Sequence, residues 1–250
     1  MFEVDRQGDV AVLRVAHGKV NAIDVELAEG LTAGIRGLAD DDVAAIVLTG
    51  EGRAFSAGVD LYRVLDGGAA YADRFLPALV ELFDAFFGFP KPLVTAVNGA
   101  AIAGGCILTC CGDRRLISDT GARVGAPELR VGVPFPVSPL EIVRFACGRH
   151  TEEVVYTGRL YEGPDAVRVG IADEAVPAGD LVGRAVAAAA DLATVPAEPF
   201  RLAKAQLRRP TVERIAADAA AIDPAITAMW GSPETAAVVR AYLDRTVGQR

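Results

Sequence analysis

Two glycine-bearing segments hold the residues best placed to do chemistry. One runs over 47–61, Val-Leu-Thr-Gly-Glu-Gly-Arg-Ala-Phe-Ser-Ala-Gly-Val-Asp-Leu, and the other over 97–107, Val-Asn-Gly-Ala-Ala-Ile-Ala-Gly-Gly-Cys-Ile. Each starts as a β-branched run and ends in small residues. Each therefore reads as a strand delivering its backbone into an open turn, where main-chain N–H groups can face a ligand. Two such turns facing each other form an oxyanion hole. That arrangement suits a thioester carbonyl whose oxygen becomes negative during reaction, since one preorganised donor is worth about 2.7–4 kcal/mol at the barrier. A lone Gly-Gly pair is more often a packing or turn feature, so the pairing of the two segments carries the signal.

Other elements must hold these turns in place. Val10–Val15 and Ala44–Thr49 read as strands flanking a helix from Val25 to Leu38, where Leu27, Leu31, Ile35 and Leu38 follow helical spacing. Asp66-Gly-Gly-Ala-Ala reads as a flexible stretch. Leu76, Leu79, Leu82, Phe83 and Phe86 then mark a second amphipathic helix that stops before Pro90 and Pro92. Leu93–Val97, Arg115–Ile117 and Arg123–Gly125 supply further strands, and Gly105–Cys111 an apolar helix. Ser138-Pro139-Leu140-Glu141 has the order of a capping box opening a helix to Cys147. Beyond about residue 180, Ala and Arg dominate helical patterns over 182–192, 199–208, 212–222 and 233–247, separated by prolines. The strand–strand–helix rhythm points to stacked ββα turns, although no sequence repeat marks them.

Composition narrows the class. A chain of 250 residues with 52% hydrophobic content can bury a large core. A net charge of −8, without any basic run beyond short pairs such as Arg208-Arg209, argues against a nucleic-acid partner. No apolar run reaches the roughly 18–20 residues of a membrane helix, and the start Met1-Phe-Glu-Val-Asp lacks a basic signal-peptide head, so the cytoplasm is expected. Cys106, Cys110, Cys111 and Cys147 form no disulfide framework, and with only His17 and His150 available they match no zinc pattern. Buried free thiols and no metal are expected.

The chain resembles the crotonase superfamily, also called the enoyl-CoA hydratase/isomerase family. The matching pieces occur in the family's order: VNAID at 20–24, GRAFSAGVDL at 52–61, VNGAAIAGGC at 97–106, GD at 112–113 and GAPELRVGV at 125–133, followed by a helical tail. The resemblance implies an α/β fold, a crotonase-like spiral of ββα units with a C-terminal helical region. It divides into a core over 1–195 that binds acyl-CoA and a region over 196–250 for assembly into a homotrimer or a dimer of trimers. The CoA thioester is then the substrate, with no separate cofactor.

By motif position, the resemblance makes the N–H groups of Ala57 and Gly104 the oxyanion donors and Glu128 the catalytic carboxylate. It places Lys19, Ala22, Ser56, Ala57, Gly58, Asp60 and Leu61, together with Gly104, Gly105, Ile107, Pro134 and Phe135, around the acyl-CoA, and Lys204 or Phe200 near the adenine. As lone lysines, Lys19 and Lys204 have the alternative of a solvated surface. Glu128 has that of an exposed or salt-bridged carboxylate after Pro127.

Hydratases of the family hold a water between two glutamates, one of them just after the Gly-Gly-Cys turn. This chain has Ile107 there. Isoleucine offers neither lone pair nor proton, so the pattern is similar to the monofunctional Δ3,Δ2-enoyl-CoA isomerases: Ala-Gly-Gly-Cys, an aliphatic residue, one glutamate, then Pro134-Phe135. An apolar surrounding would raise the Glu128 pKa towards the range of a general base near neutral pH. Glu141 is set aside as a second carboxylate because of its capping role. The rival readings are a hydratase of weak or altered activity, another crotonase-type reaction such as thioester hydrolysis or retro-aldol cleavage, and a non-catalytic acyl-CoA-binding protein.

Overall fold

In the computed structural model, which describes residues 1–246, strands from alternating positions in the chain assemble two sheets. The larger holds β1 (Phe2–Gln7), β2 (Val10–Val15), β3 (Ala45–Gly50), β5 (Leu93–Val97), β7 (Arg114–Ser118) and β9 (Glu174–Val176), in that spatial order. Only β1 and β2 run antiparallel. The smaller is the parallel set β4 (Ala54–Ser56), β6 (Ala100–Ile102) and β8 (Arg123–Gly125). Thus β3–β4, β5–β6 and β7–β8 each give one strand to each sheet, and successive pairs stack in parallel. Helices close the turns of this spiral: α1 (Val25–Asp40) before the first pair, α2 (Leu61–Phe87) after it, α3 (Gly104–Cys110) after the second and α4 (Glu128–Val131) after the third.

The large sheet is covered on both sides, which explains its continuous apolar strands. Ala11, Leu13, Ile46, Leu48, Leu93, Val97 and Ile117 face the main core with α1 and α2. The alternating residues Val10, Val12, Ala45, Val47, Val94, Ala96 and Leu116 pack under a later helix through Leu181, Ala185 and Ala189. β1 is mostly exposed at the sheet edge and so lacks the apolar run that betrays a core strand in the sequence.

The rest of the chain is helical: α5 (Val137–Cys147), α6 (Thr151–Thr157), α7 (Gly163–Arg168), α8 (Leu181–Ala193), α9 (Ala197–Trp230) and α10 (Pro233–Thr246). Val247, the expected end of the last helix, lies outside the described residues.

Three expectations are corrected. The stretch over 66–70 is helical, part of α2, and its irregularity is confined to a kink at Gly68 (φ 55, ψ −144). Pro210 and Pro224 do not break the tail, because both lie inside α9. A helix-interior proline costs about 3 kcal/mol or more, but buried side chains anchor each segment: Lys204 and Arg208 before Pro210, Thr211 between the prolines, and Ile226 and Trp230 after Pro224. The capping box does not form. α5 starts at Val137 after Pro136, and no side chain caps it. Ser138 instead donates its hydroxyl to the Asp84 carboxylate, while Glu141 pairs with Arg214 at 2.6 Å and Arg144 at 3.0 Å.

Candidate active site

The segment after β4 is held by a ladder that decides which of its N–H groups are free. Ala57 N–H donates to Val20 O at 2.9 Å, Gly58 N–H to Ser56 Oγ at 3.2 Å, and Asp60 N–H to Ile23 O at 2.9 Å. Gly58 O in turn accepts from Ile23 N–H at 2.7 Å. In this isolated parallel bridge Val59 is the residue opposite Ile23, so its own N–H turns away from Ile23. That N–H has no acceptor among the described residues, and Val59 borders an apolar cavity.

The expectation for Ala57 is therefore corrected. Ala57 borders the cavity, but its N–H is engaged with Val20, and the open donor is Val59. Motif position does not reveal this, because donor availability follows from the strand partner.

The second donor arises at the head of α3. Ala103 adopts φ 52, ψ −118, a sparsely populated region for a residue with a Cβ, and its N–H donates to Gly125 O at 2.9 Å. The helix bonds begin with Ile107 N–H to Ala103 O at 3.1 Å, which leaves the Gly104 N–H without an intrahelical acceptor. Gly104 borders the cavity.

Glycine is required where the segments press together. A Cβ on Gly58 (φ 83) would fall 2.4 Å from Ile102 O, and one on Gly105 would fall 2.3 Å from Ser56 O. Gly104 and Gly58 abut as well, a Cβ on Gly104 lying 3.9 Å from Gly58 Cα. Val59 and Gly104 thus border the same cavity, close to the contact between the two segments.

Glu128 opens α4 and borders the same cavity. It is neither exposed nor salt-bridged: 6% of it is accessible, and Oε2 is buried without a hydrogen-bond partner among the described residues. Burial pushes its pKa up to about 8, against the opposing effect of its own backbone N–H.

Ile107 projects from α3 into the same surroundings. The other walls are Leu61, Leu79 and Phe83 of α2, with Val131, Val133 and Phe135. Trp230 and Tyr242 come from the tail. Among the described residues Glu128 is the only one lining the cavity that can carry a charge near neutral pH, and Glu141 does not border it.

The remaining expected residues divide sharply. Leu61 and Phe135 line the cavity, whereas Pro134 acts through its carbonyl, which accepts from Trp230 Nε1 at 2.9 Å. The Ser56 hydroxyl donates to Asn21 O at 2.8 Å and so clasps the loop over 20–24. Asp60 caps α2, accepting from the N–H groups of Tyr62 at 3.1 Å and Arg63 at 3.2 Å. Lys19 is exposed and Ala22 half-buried, and neither borders the cavity.

Lys204 is buried rather than solvated. It pairs with Asp113 at 2.6 Å and donates to Lys91 O at 3.0 Å, while burial holds its pKa down to about 8. Its ammonium stands 5.9 Å from the Phe200 ring centroid. Both residues belong to the packing of α9 on the core, and neither borders the cavity. The four cysteines are buried free thiols, and no cluster suited to a metal ion occurs among the described residues.

Sequence reasoning missed Trp230 and Tyr242 as site residues. The boundary expected at residue 195 separates them from the site, but the tail folds back on α2 and α4, with Val238 against Gly132 and Gly231 against Ala69. No signal in the sequence marks this return.

A family model described as enoyl-CoA hydratase/isomerase matches residues 5–245, and the chain belongs to that family. A Thermus thermophilus protein named for the enoyl-CoA hydratases is 36% identical over 209 residues, covering 82% of each chain. The crystal structure of human mitochondrial Δ3,Δ2-enoyl-CoA isomerase superimposes with a TM-score of 0.92 at 26% identity, covering 98% of this chain and 97% of that one. A Mycobacterium tuberculosis protein named in one structure as an enoyl-CoA isomerase and in another as a probable enoyl-CoA hydratase does so with a TM-score of 0.82 at 30% identity, over 89% and 97%. No helix among the described residues is long and apolar enough to cross a membrane.

Proposed function

We propose that the protein is a Δ3,Δ2-enoyl-CoA isomerase working through one carboxylate. The observation that carries this reading is an apolar cavity in which Glu128 is the sole carboxylate among the described residues and Ile107 occupies the position after the Gly-Gly-Cys turn. Adding water to a double bond needs one group to position and deprotonate the water and another to protonate carbon, so one carboxylate beside an isoleucine is poorly equipped.

A 3-enoyl-CoA thioester places its carbonyl oxygen between the Val59 and Gly104 N–H groups. The ionised Glu128 takes a proton from C2, and the C2–H electron pair moves into the C1–C2 bond. The carbonyl oxygen becomes negative, and the two N–H groups stabilise that charge. The Glu128 acid then protonates C4 while the electrons return. The carbonyl re-forms, the double bond lies between C2 and C3, and Glu128 is again ionised. The thioester is the substrate, and no other cofactor enters the sequence.

The elevated Glu128 pKa supports this role, because an acid–base shuttle works best when its pKa lies near the operating pH. Assays of purified protein on 3-hexenoyl-CoA and on crotonyl-CoA test the proposal: isomerisation should far exceed hydration. Hydration as fast as isomerisation refutes it, and binding of both esters without turnover identifies a non-catalytic acyl-CoA-binding protein.

Assembly into three or six chains belongs to the same proposal. α9 leaves Leu202, Leu207, Val212, Ile222 and Met229 exposed, an unusual load of apolar surface on one helix. Light scattering should give three or six times 26.1 kDa, and a concentration-independent monomer would rule assembly out.

A further inference from the structure

Ile23 stands between the two segments that carry the proposed donors and touches both. Its backbone grips the first on either side of Val59: its N–H donates to Gly58 O at 2.7 Å, and its carbonyl accepts from Asp60 N–H at 2.9 Å. Its side chain meets the second, where Cδ1 lies 3.0 Å from the position a Cβ on Gly104 would take. The residue is fully buried and does not border the cavity. Whatever fixes Ile23 therefore fixes Val59 and Gly104 relative to each other.

Ile23 is itself held from both directions along the chain. Two residues before it, Asn21 donates its side-chain amide to Ala54 O at 2.9 Å, and its backbone carbonyl accepts from the Ser56 hydroxyl at 2.8 Å. Immediately after it, Asp24 is buried. One of its carboxylate oxygens accepts from Leu27 N–H at 2.8 Å, at the head of α1. The other meets His17 Nε2 at 2.8 Å and the Arg63 guanidinium at 3.4 Å. Arg63 lies in the first turn of α2, just beyond Asp60, so the loop over 20–24 is tied to the donor segment on both sides of Val59. In such close packing the δ-methyl of Ile23 is a fixed stop against Gly104.

We infer that Ile23 is a positioning residue for the oxyanion site: its backbone aims the Val59 N–H, and its δ-methyl sets how closely the head of α3 approaches. The inference rests on the proposed reaction, in which those two N–H groups stabilise the negative oxygen. Deleting the methyl opens a gap into which the head of α3 relaxes, carrying Gly104 with it. Loss of a whole donor costs about 10²–10³-fold and a misplacement of about 1 Å up to about 10²-fold, so a partial shift should cost about tenfold. The donors act on charge that develops in the transition state, so the loss should fall on kcat and leave KM nearly unchanged.

The test compares wild type with Ile23→Val, which deletes Cδ1, with Ile23→Ala, and with Ile35→Val, which deletes the same methyl from a buried position of α1 outside the cavity wall. On 3-hexenoyl-CoA, Ile23→Val should lose about tenfold in kcat at nearly constant KM, and Ile23→Ala up to about 10²-fold. Ile35→Val should keep the wild-type kcat while losing comparable stability in denaturant titration. A second readout needs no turnover. Acetoacetyl-CoA gives up a C2 proton to form an enolate that absorbs in the near ultraviolet, and donors aimed at its oxygen raise the ratio of enolate to keto form in the bound ester. That ratio should fall about tenfold in Ile23→Val.

Wild-type isomerisation with Ile23→Val unchanged in both kcat and enolate ratio would overturn the inference and leave the isomerase standing. So would an Ile35→Val loss of kcat as large as that of Ile23→Val. An enolate ratio that falls in Ile23→Val, with no ester isomerised by wild type, would sustain the positioning role and refute the isomerase. Wild type that neither isomerises nor favours the bound enolate would overturn both. The valine variant decides the matter even if Ile23→Ala does not fold.

Discussion

Replacing Glu128 by glutamine removes the ionisation and little else, and its consequences run in opposite directions for activity and stability. As the proposed general base, Glu128 must be ionised to act. Wild-type kcat/KM should therefore rise with pH and level off above about 8, the value to which burial pushes this carboxyl from its ordinary 4.5. Glu128→Gln should lose about 10²–10⁴-fold in turnover.

Stability follows from the same shift. Below pH 4.5 the acid is protonated in both folded and unfolded chains, so it contributes no pH dependence. Between 4.5 and about 8 the unfolded chain has released a proton that the folded chain still holds, so folding stability falls as pH rises. At about 1.4 kcal/mol per pH unit, the full interval amounts to on the order of 5 kcal/mol by pH 9. Glutamine carries no such charge, and its amide returns only part of the gain through its own unmet hydrogen bonds. The variant should thus be nearly as stable as wild type at pH 4.5 and clearly more stable at pH 9. Denaturant titrations at the two pH values, run beside the isomerase pH profile, measure both effects. A variant of full activity, or a wild-type profile that is flat from pH 5.5 to 9 together with equal stabilities at pH 9, would refute the assignment of Glu128 as a buried titrating base.

Ile107→Glu should introduce some hydration of crotonyl-CoA while slowing isomerisation, since two neighbouring carboxylates can share a proton and hold a water; a folded variant with unchanged isomerisation in the hexenoyl assay would show that this side chain does not meet the acyl group. Replacing the Val59 amide by an ester, through incorporation of the α-hydroxy analogue, should cost about 10²–10³ in kcat by removing one oxyanion donor. The same replacement at Ala57 should lower the melting temperature and leave kcat nearly intact, and the reverse pattern would restore Ala57 as the donor. Asp113→Ala should destabilise by about 3–5 kcal/mol in denaturant titration, because it leaves the buried Lys204 and Arg208 cations without their carboxylate; a loss under 1 kcal/mol would mean that the three charges are not a packed unit.

Much of this molecule is legible in its residues alone. The strands Val10–Val15 and Leu93–Val97 coincide with β2 and β5, because a strand covered on both faces must be apolar throughout and so announces itself. The meeting of two glycine segments is legible for a related reason, since only glycine tolerates the approaches at Gly58 and Gly105. Glu128 and Ile107 are marked by the motifs around them, and the burial of four thiols by the apolar runs they interrupt.

What the residues could not tell was how distant segments use one another. Val59 rather than Ala57 has the free N–H because Val20 and Ile23 choose the partners of that loop, and a backbone donor carries no sequence label. Ser138 and Glu141 have the order of a cap, but Asp84 and Arg214 draw their side chains away. Lys204 looks like a surface lysine until Asp113 is found beneath it. The prolines of α9 end a helix only in isolation, and here packing on the core outweighs the lost hydrogen bonds. Trp230 and Tyr242 enter the site from beyond the expected domain boundary. Local pattern thus specified the strands, the turns and the carboxylate, whereas partner choice, which depends on what surrounds each group in space, was decided only when the tail closed over the spiral.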